Sequence, residues 1–353
     1  MLQTHEDFLT AIAAQPTDRT LRLVYADWLD ERADPRGELI RVEDEMRHLP
    51  VFADRFWERK PRRNALRADA GPEWCERMRY GTECAPVFGH GIPTGWRERW
   101  RLVREFTERW HRIPMPDVSG EHAEMTEAET RLGRQLPPSV REWLAFSCDA
   151  PTRPRVCRLS NGELGRVPGE PAVPLWLGAD PFVPLSYAAV RYDDLALTDP
   201  PVRGFNLAVT QEGDASRPLA GVVPNTVSGF AIDHSVADVE GGWGGYWLST
   251  DRGEEWRQRL RDAFPCRATL EGIEYFEAND LVVRVAPLRN EPYRPGPLLA
   301  ERPPLRFSGE RVTVSAQAAA GVDARRVPAV VRELARRATL FHGNLGPPNG
   351  VPF

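Results

Sequence analysis

The apolar residues of this chain change their spacing partway along, and that change limits the architectures open to it. Up to Leu144 they recur every three or four positions, as on helices with one buried face. Beyond that they fall in short runs bounded by Gly, Pro and Asn, as in strands and turns. Helices first and strands afterwards point to an α+β fold, because a doubly wound sheet would alternate the two. At 353 residues there is room for two or three domains, each with its own core.

The first fifty residues read as three helices. Thr4-x-x-Asp7 is a capping box ahead of Phe8, Leu9 and Ile12. Leu21, Val24, Tyr25, Trp28 and Leu29 form one helical stripe. Asp34-Pro35 supplies an N-cap and first-turn proline before Leu39, Val42, Met46 and Leu49. Between residues 50 and 95, Trp74 and Met78 predict one short helix. The loop Gly89-His90-Gly91-Ile92-Pro93 lacks both a preceding strand and the spacing of a phosphate cradle. A helix follows over 96–110 with Trp100, Val103 and Trp110. Thr126-x-x-Glu129 caps the next, which ends at Gly133, and Pro137-Pro138-Ser139 leads into Val140, Trp143 and Leu144.

Asn161-Gly162 between two extended runs predicts a hairpin over 156–167. Further strands are expected at 190–197, 204–209, 219–223, 230–233 and 246–248. Asp251-x-x-Glu254 opens a helix carrying Trp256, Leu260 and Phe264, and a last hairpin joins 273–276 to 281–285. Six prolines between Pro287 and Pro304 mark a semi-rigid connector, ahead of a strand at 306–315 and a helix at 328–340.

Two stretches resemble known families. Asp18-Arg19-Thr20-Leu21-Arg22-Leu23-Val24-Tyr25-Ala26-Asp27-Trp28-Leu29-Asp30-Glu31-Arg32, then Asp34-Pro35-Arg36-Gly37-Glu38-Leu39-Ile40-Arg41, resembles the bacterial repeat-companion domain over residues 5–49. That resemblance implies a small helical module and carries no established activity. Glu127-Ala128-Glu129-Thr130-Arg131-Leu132-Gly133-Arg134-Gln135-Leu136-Pro137-Pro138-Ser139-Val140-Arg141-Glu142-Trp143-Leu144 resembles the opening of a SUKH-superfamily, or Smi/Knr-like, domain. The shared pattern is an acidic helix, Leu-Gly, two variable residues, Leu-Pro, and a helix with an aromatic anchor. The family often places Asn-Gly soon after that helix, whereas Ser147-Cys148-Asp149-Ala150 stands here, so a remodelled first loop is expected. The expected domains are a helical repeat-companion-like module with connector at 1–95 and a SUKH-like domain with N-terminal helices and a mostly antiparallel sheet at 96–290. A proline-rich linker with a small strand–helix extension would fill 291–353.

Composition removes several enzyme classes. Of 46 Lys and Arg residues only Lys60 is a lysine, and it sits in a polar run with no glycine loop before it. Pyridoxal enzymes, P-loop hydrolases and protein kinases all need a placed lysine. The five cysteines (75, 84, 148, 157, 266) include no C-x-x-C pair, and the seven histidines show neither H-x-H nor H-x-x-x-H spacing. No metal or cofactor is expected. Met1–Asp7 carries acids where a signal peptide would carry bases, and no run approaches the ~20 apolar residues of a membrane span. A cytoplasmic location without membrane partners is expected.

Charge is uneven. Residues 1–112 balance at 20 basic and 20 acidic side chains, residues 113–304 carry 19 against 28, and residues 305–353 carry 7 against 3. The acidic middle repels phosphate backbones and attracts basic proteins, so no nucleic-acid partner is expected.

Three stretches stand out as candidate sites. Asp233-His234-Ser235 spells triad letters, but neighbours in sequence do not converge, and a strand end turning into a polar loop is the expectation. Tyr192-Asp193-Asp194 reads as a solvated acidic turn. Around Glu240-Gly241-Gly242-Trp243-Gly244-Gly245-Tyr246-Trp247, the residues Asp238, Glu240, Trp243 and Tyr246 suggest an acidic aromatic contact patch. The whole reads as a non-enzymatic protein-interaction protein. The SUKH resemblance implies, in bacteria, an immunity role: stoichiometric binding of a toxin domain, a basic one given the acidic middle. The alternative is a regulatory or scaffolding adaptor that docks through its N-terminal helical module. A hydrolase would require polar residues converging in a pocket.

Overall fold

The computed structural model describes residues 4–80, 86–111, 114–117, 120, 122–149, 175–179, 186–206, 226–237, 243–249, 253–278, 281–288, 311–318, 329–331 and 333. The architecture is α+β, as the change in spacing predicts. The chain divides into two units, Met1–His90 and Gly91–Phe353.

The first unit holds α1 (His5–Ala14), α2 (Arg19–Asp30), α3 (Arg36–Arg47), α4 (Asp54–Ala70) and α5 (Pro72–Arg77). Its first helix starts on the capping box read from sequence: the Asp7 amide donates to Thr4 Oγ1 at 3.2 Å, and the Thr4 amide donates to Asp7 Oδ2 at 2.9 Å. On α2 the buried face is rotated from the expected stripe. Tyr25, Ala26, Leu29 and Arg22 are buried, while Val24 is 48% exposed. Arg22 takes a core position because its guanidinium finds carbonyls there, donating to Pro16 O at 2.9 and 3.1 Å and to Met78 O at 3.0 Å.

The 17-residue α4 is absent from the sequence reading, since it holds Pro61 in its interior. Such a proline costs about 3 kcal/mol. Tertiary burial of Phe56, Trp57, Lys60, Arg63 and Leu66 opposes that cost. Lys60, the chain's one lysine, is buried with Nζ 4.1 Å from the centre of the Trp57 ring. Across the surface, Arg62 and Arg55 of α4 donate to Glu38 and Glu45 of α3, each at 2.8 Å.

The second unit opens with α6 (Trp96–His111), α7 (Ala123–Leu132) and α8 (Pro138–Asp149). Gly133 caps α7 in the left-handed region as expected, but the helix starts from His122, so Thr126 lies inside it. Trp100 of α6 donates through Nε1 to Ser139 Oγ at 3.0 Å and packs on Trp143 and Phe146. Strands β1 (Leu175–Ala179), β2 (Ser186–Val190) and β3 (Arg203–Asn206) form an antiparallel sheet in that order. Then come α9 (Val227–Ala237), β4 (Trp243–Ser249), α10 (Gly253–Ala263), β5 (Cys266–Leu270), β6 (Ile273–Ala278), β7 (Leu281–Leu288) and β8 (Arg311–Ala318). The second sheet is antiparallel throughout, in the order β4-β8-β7-β6-β5.

Several expectations are corrected. Of the strand expected at 190–197, only Val190 is in β2, and Asp193–Ala196 form a 3-10 turn. The strand expected at 230–233 is part of α9, whose residues 227–236 are all buried. A helix buried on every side has no apolar period, and a short piece of it looks like a buried strand. β5 was not foreseen. It pairs with β6 across Glu271 and Gly272, both at positive φ (50° and 86°), the geometry of a two-residue hairpin turn.

Of the stretch expected as an extension past 290, the described β8 and Val331 pack with elements of the second unit. β8 lies between β4 and β7, and Val331 joins Trp256, Leu260, Phe264, Phe276 and Val283 in one core cluster. The hairpin expected at 156–167 and the strand at 219–223 lie outside the described residues.

Candidate protein-contact surface

Of the four residues singled out as a contact patch, Trp243 and Tyr246 lie on β4, the end strand of the five-stranded sheet. They stand opposite Ala316 and Val314 of β8, with a register shift between them. Asp238 and Glu240 lie outside the described residues.

Asp233, His234 and Ser235 are buried inside α9, not at a strand end. Successive helical residues point about 100° apart, and these diverge. The Asp233 carboxylate accepts from Arg284 of β7, with Nη2 at 2.7 Å, and from the Tyr275 hydroxyl of β6 at 2.9 Å. His234 faces the other way, its ring edge-on to Trp143 of α8 at 5.6 Å. Burial and the Asp233 carboxylate push the Tyr275 hydroxyl pKa well above its ordinary value. The three letters do not converge on a reacting atom, so they form a structural cluster.

Cys75 and Cys266 are not poised as nucleophiles. Burial pushes the Cys266 thiol up to about 12, and burial also raises the half-buried Cys75. Among the described residues no group of three or more His, Cys, Asp or Glu side chains is placed to hold a metal ion. No described helix is long and apolar enough to cross a membrane.

Among the described residues, the exposed large apolar side chains are Tyr192 and Leu197 in the second unit and Val24 in the first. In the second unit, Tyr192 is 41% and Leu197 is 50% exposed, on either side of the fully covered Leu195. The 3-10 turn makes this possible by sending Leu195 inward and its flanks outward. Asp193 is exposed between them, whereas Asp194 is half-buried, with Oδ2 covered and accepting no hydrogen bond among the described residues. Behind the turn the chain is pinned to two helices. Thr198 O accepts from the Ser139 amide at the start of α8 at 3.2 Å, and Pro200 O from the Val227 amide of α9 at 3.0 Å. Asp199 accepts from the Ser228 amide at 3.0 Å and the Ser228 hydroxyl at 2.6 Å. Arg134 of the α7–α8 connection lies 5.6 Å from the centre of the Tyr192 ring. The turn therefore presents an aromatic, an aliphatic and a carboxylate group on a backbone that is already fixed.

On α2, Val24 is exposed, Leu21 and Trp28 are half-buried, and the Arg32 guanidinium stacks 3.7 Å from the centre of the Trp28 ring. Tyr25 and Ala26 of the same motif are core residues, and the Asp27 carboxylate pairs with Arg41 at 2.6 Å. The sequence marks Tyr192-Asp193-Asp194 only as a solvated acidic turn and Leu197 only as a strand end, so neither apolar side chain reads as a contact. The signal that marks them is Asp193-Asp194 interrupting an apolar run, which favours a turn.

No protein-family model, no curated protein and no solved structure matches this chain.

Proposed function

We propose that this chain is a non-catalytic protein-binding protein whose second unit holds a basic partner against the Tyr192–Leu197 turn. The observation that carries this reading is the pinned turn with Tyr192 and Leu197 exposed around the exposed Asp193. A surface ordered before binding loses little entropy when a partner arrives, and tyrosine is among the residues most often at the energetic centre of interfaces. The excess of acidic side chains over residues 113–304 steers a basic partner toward it. The SUKH resemblance supplies the kind of partner: a basic toxin domain, neutralised one for one.

The half-uncovered shoulder of Leu21, Val24 and Trp28 on α2 favours a second reading, an adaptor that docks through its first unit. Co-expression separates the two. The full chain is produced with each basic toxin domain encoded beside its gene, and growth is followed. Rescue by the wild type and by Val24→Arg, but not by Tyr192→Ala/Leu197→Ala, supports the first reading. Rescue lost with Val24→Arg supports the adaptor, and no rescue by any form contradicts the immunity role.

A further inference from the structure

His5 stands in the first turn of α1 and meets the core of the first unit through one hydrogen bond. Its Nδ1 lies 2.7 Å from the hydroxyl of Tyr25, a fully buried residue of α2. The Trp74 indole of α5 reaches the same hydroxyl at 3.4 Å. An indole N–H can only donate, so the Tyr25 oxygen accepts there and its hydrogen is left for His5 Nδ1. The trio is satisfied only while Nδ1 carries no proton, with the ring hydrogen on Nε2. A protonated His5 would aim a second donor at the Tyr25 oxygen and leave the phenol hydrogen buried with no acceptor. Tyr25 cannot escape by ionising, because burial holds its hydroxyl pKa above the ordinary value.

The charges facing His5 come from three elements: Glu6 on α1, Asp34 and Arg36 at the start of α3, and Arg77 on α5. Both carboxylates are already engaged by arginine. Arg77 donates to Glu6 at 2.7 and 2.9 Å, and Arg36 Nε donates to Asp34 at 2.9 Å. Burial first, then Arg36 and Arg77, hold the His5 pKa below its ordinary value against the opposing pull of Glu6 and Asp34. Beyond this contact α1 is held by the Glu6–Arg77 pair and by Phe8, Leu9 and Ile12, with the Phe8 ring 5.0 Å from that of Tyr25 and 5.5 Å from that of Trp28.

We propose that the His5–Tyr25–Trp74 contact is a proton-released latch, which holds α1 against α2 and α5 while His5 is neutral and lets it open when His5 is protonated. The closed form binds this proton less readily than the open form. The latch is therefore whole above pH about 6.5 and weakens as pH falls toward the lowered value. The opening constant rises in that window by at most about tenfold per pH unit, the limit for a single titrating proton.

Hydrogen exchange on the full chain between pH 7.5 and 5, corrected for intrinsic exchange, reads that constant directly. Residues 8–14 should lose protection as pH falls while residues 39–46 of α3 keep theirs. In His5→Gln, whose amide oxygen can accept the Tyr25 hydrogen without titrating, protection should stay and its pH dependence vanish. Unchanged protection of α1, loss shared equally by α3, or the same pH dependence in His5→Gln would each overturn the latch. Should His5→Gln fold poorly, Tyr25→Phe gives a second reading. There the imidazole resonance of His5 should titrate closer to the ordinary value, and an unmoved titration counts against the proposal.

Discussion

Asp233 of α9 and Arg284 of β7 form an ion pair inside the second unit, and the Tyr275 hydroxyl donates to the same carboxylate at 2.9 Å. Taking two charges out of water is expensive, so the pair is weak evidence of stability in itself. Its role is orientation. Residues 227–236 of α9 are buried on every side, so no apolar stripe fixes the helix's rotation. One carboxylate that must meet one guanidinium on the sheet does fix it. Asp233→Ala should cost about 3–5 kcal/mol in urea unfolding of the full chain. Asp233→Ala with Arg284→Met should cost less than the sum of the two single changes. A loss below about 1 kcal/mol for Asp233→Ala would remove the orienting role.

At Gly37 the backbone of α3 lies close against α2. A methyl group there would sit 2.2 Å from Asp30 Oδ1 and 2.9 Å from the Ala26 carbonyl oxygen. The aspartate can swing away, but the carbonyl belongs to the α2 backbone. Gly37→Ala should therefore destabilise the first unit by about 1–3 kcal/mol despite alanine's better helix propensity. Thermal unfolding of the variant checks this, and a rise in melting temperature would contradict the close packing.

Acid should loosen the first unit through Asp34 and Asp44. A hydrogen bond from Arg36 holds Asp34 below the ordinary aspartate range, and one from Arg19 does the same for Asp44. A carboxylate with a lowered folded pKa contributes stability that is present above pH about 4 and is lost as pH falls through the lowered value. Asp34→Asn/Asp44→Asn should flatten the decline of melting temperature between pH 4 and 2.5. An unchanged slope in that window would exclude these two residues as the source.

The Tyr192–Leu197 surface should be dispensable for folding. Both side chains project from the turn, and surface changes away from the core usually stay within about 0.5 kcal/mol. Leu195→Ala, by contrast, removes the covered anchor and should cost about 2–5 kcal/mol. Urea midpoints of the two variants, compared with wild type, test both statements. A large loss for Tyr192→Ala/Leu197→Ala would mean that the surface is part of the core.

What the sequence makes legible here is what local chemistry determines. Thr4 and Asp7 cap α1 from three residues apart, Gly133 ends α7, and β6 pairs antiparallel with β7 on either side of Asn279-Asp280. Each of those signals lies within a few residues of its effect. The errors come from tertiary context. Pro61 stays helical because Trp57 and Leu66 are buried around it, and α9 loses its period because neighbours cover every face. The core face of α2 turns toward Arg22 only because Pro16 and Met78 offer carbonyls. Tyr192 and Leu197 were hidden in the same way: their exposure follows from Leu195 turning inward and from the ties of Thr198 and Pro200 to α8 and α9. A pattern of apolar letters carries none of that.

The most direct test is calorimetric titration of the full chain with a basic toxin domain, at low and at physiological salt, for wild type and Tyr192→Ala/Leu197→Ala. A one-to-one complex is predicted, weaker as salt rises, with affinity reduced by about tenfold or more in the double variant, as loss of a ~1.4 kcal/mol contact requires. A complex of equal strength in the double variant would contradict the surface assigned here, as would neutralisation by far less than one equivalent of the chain.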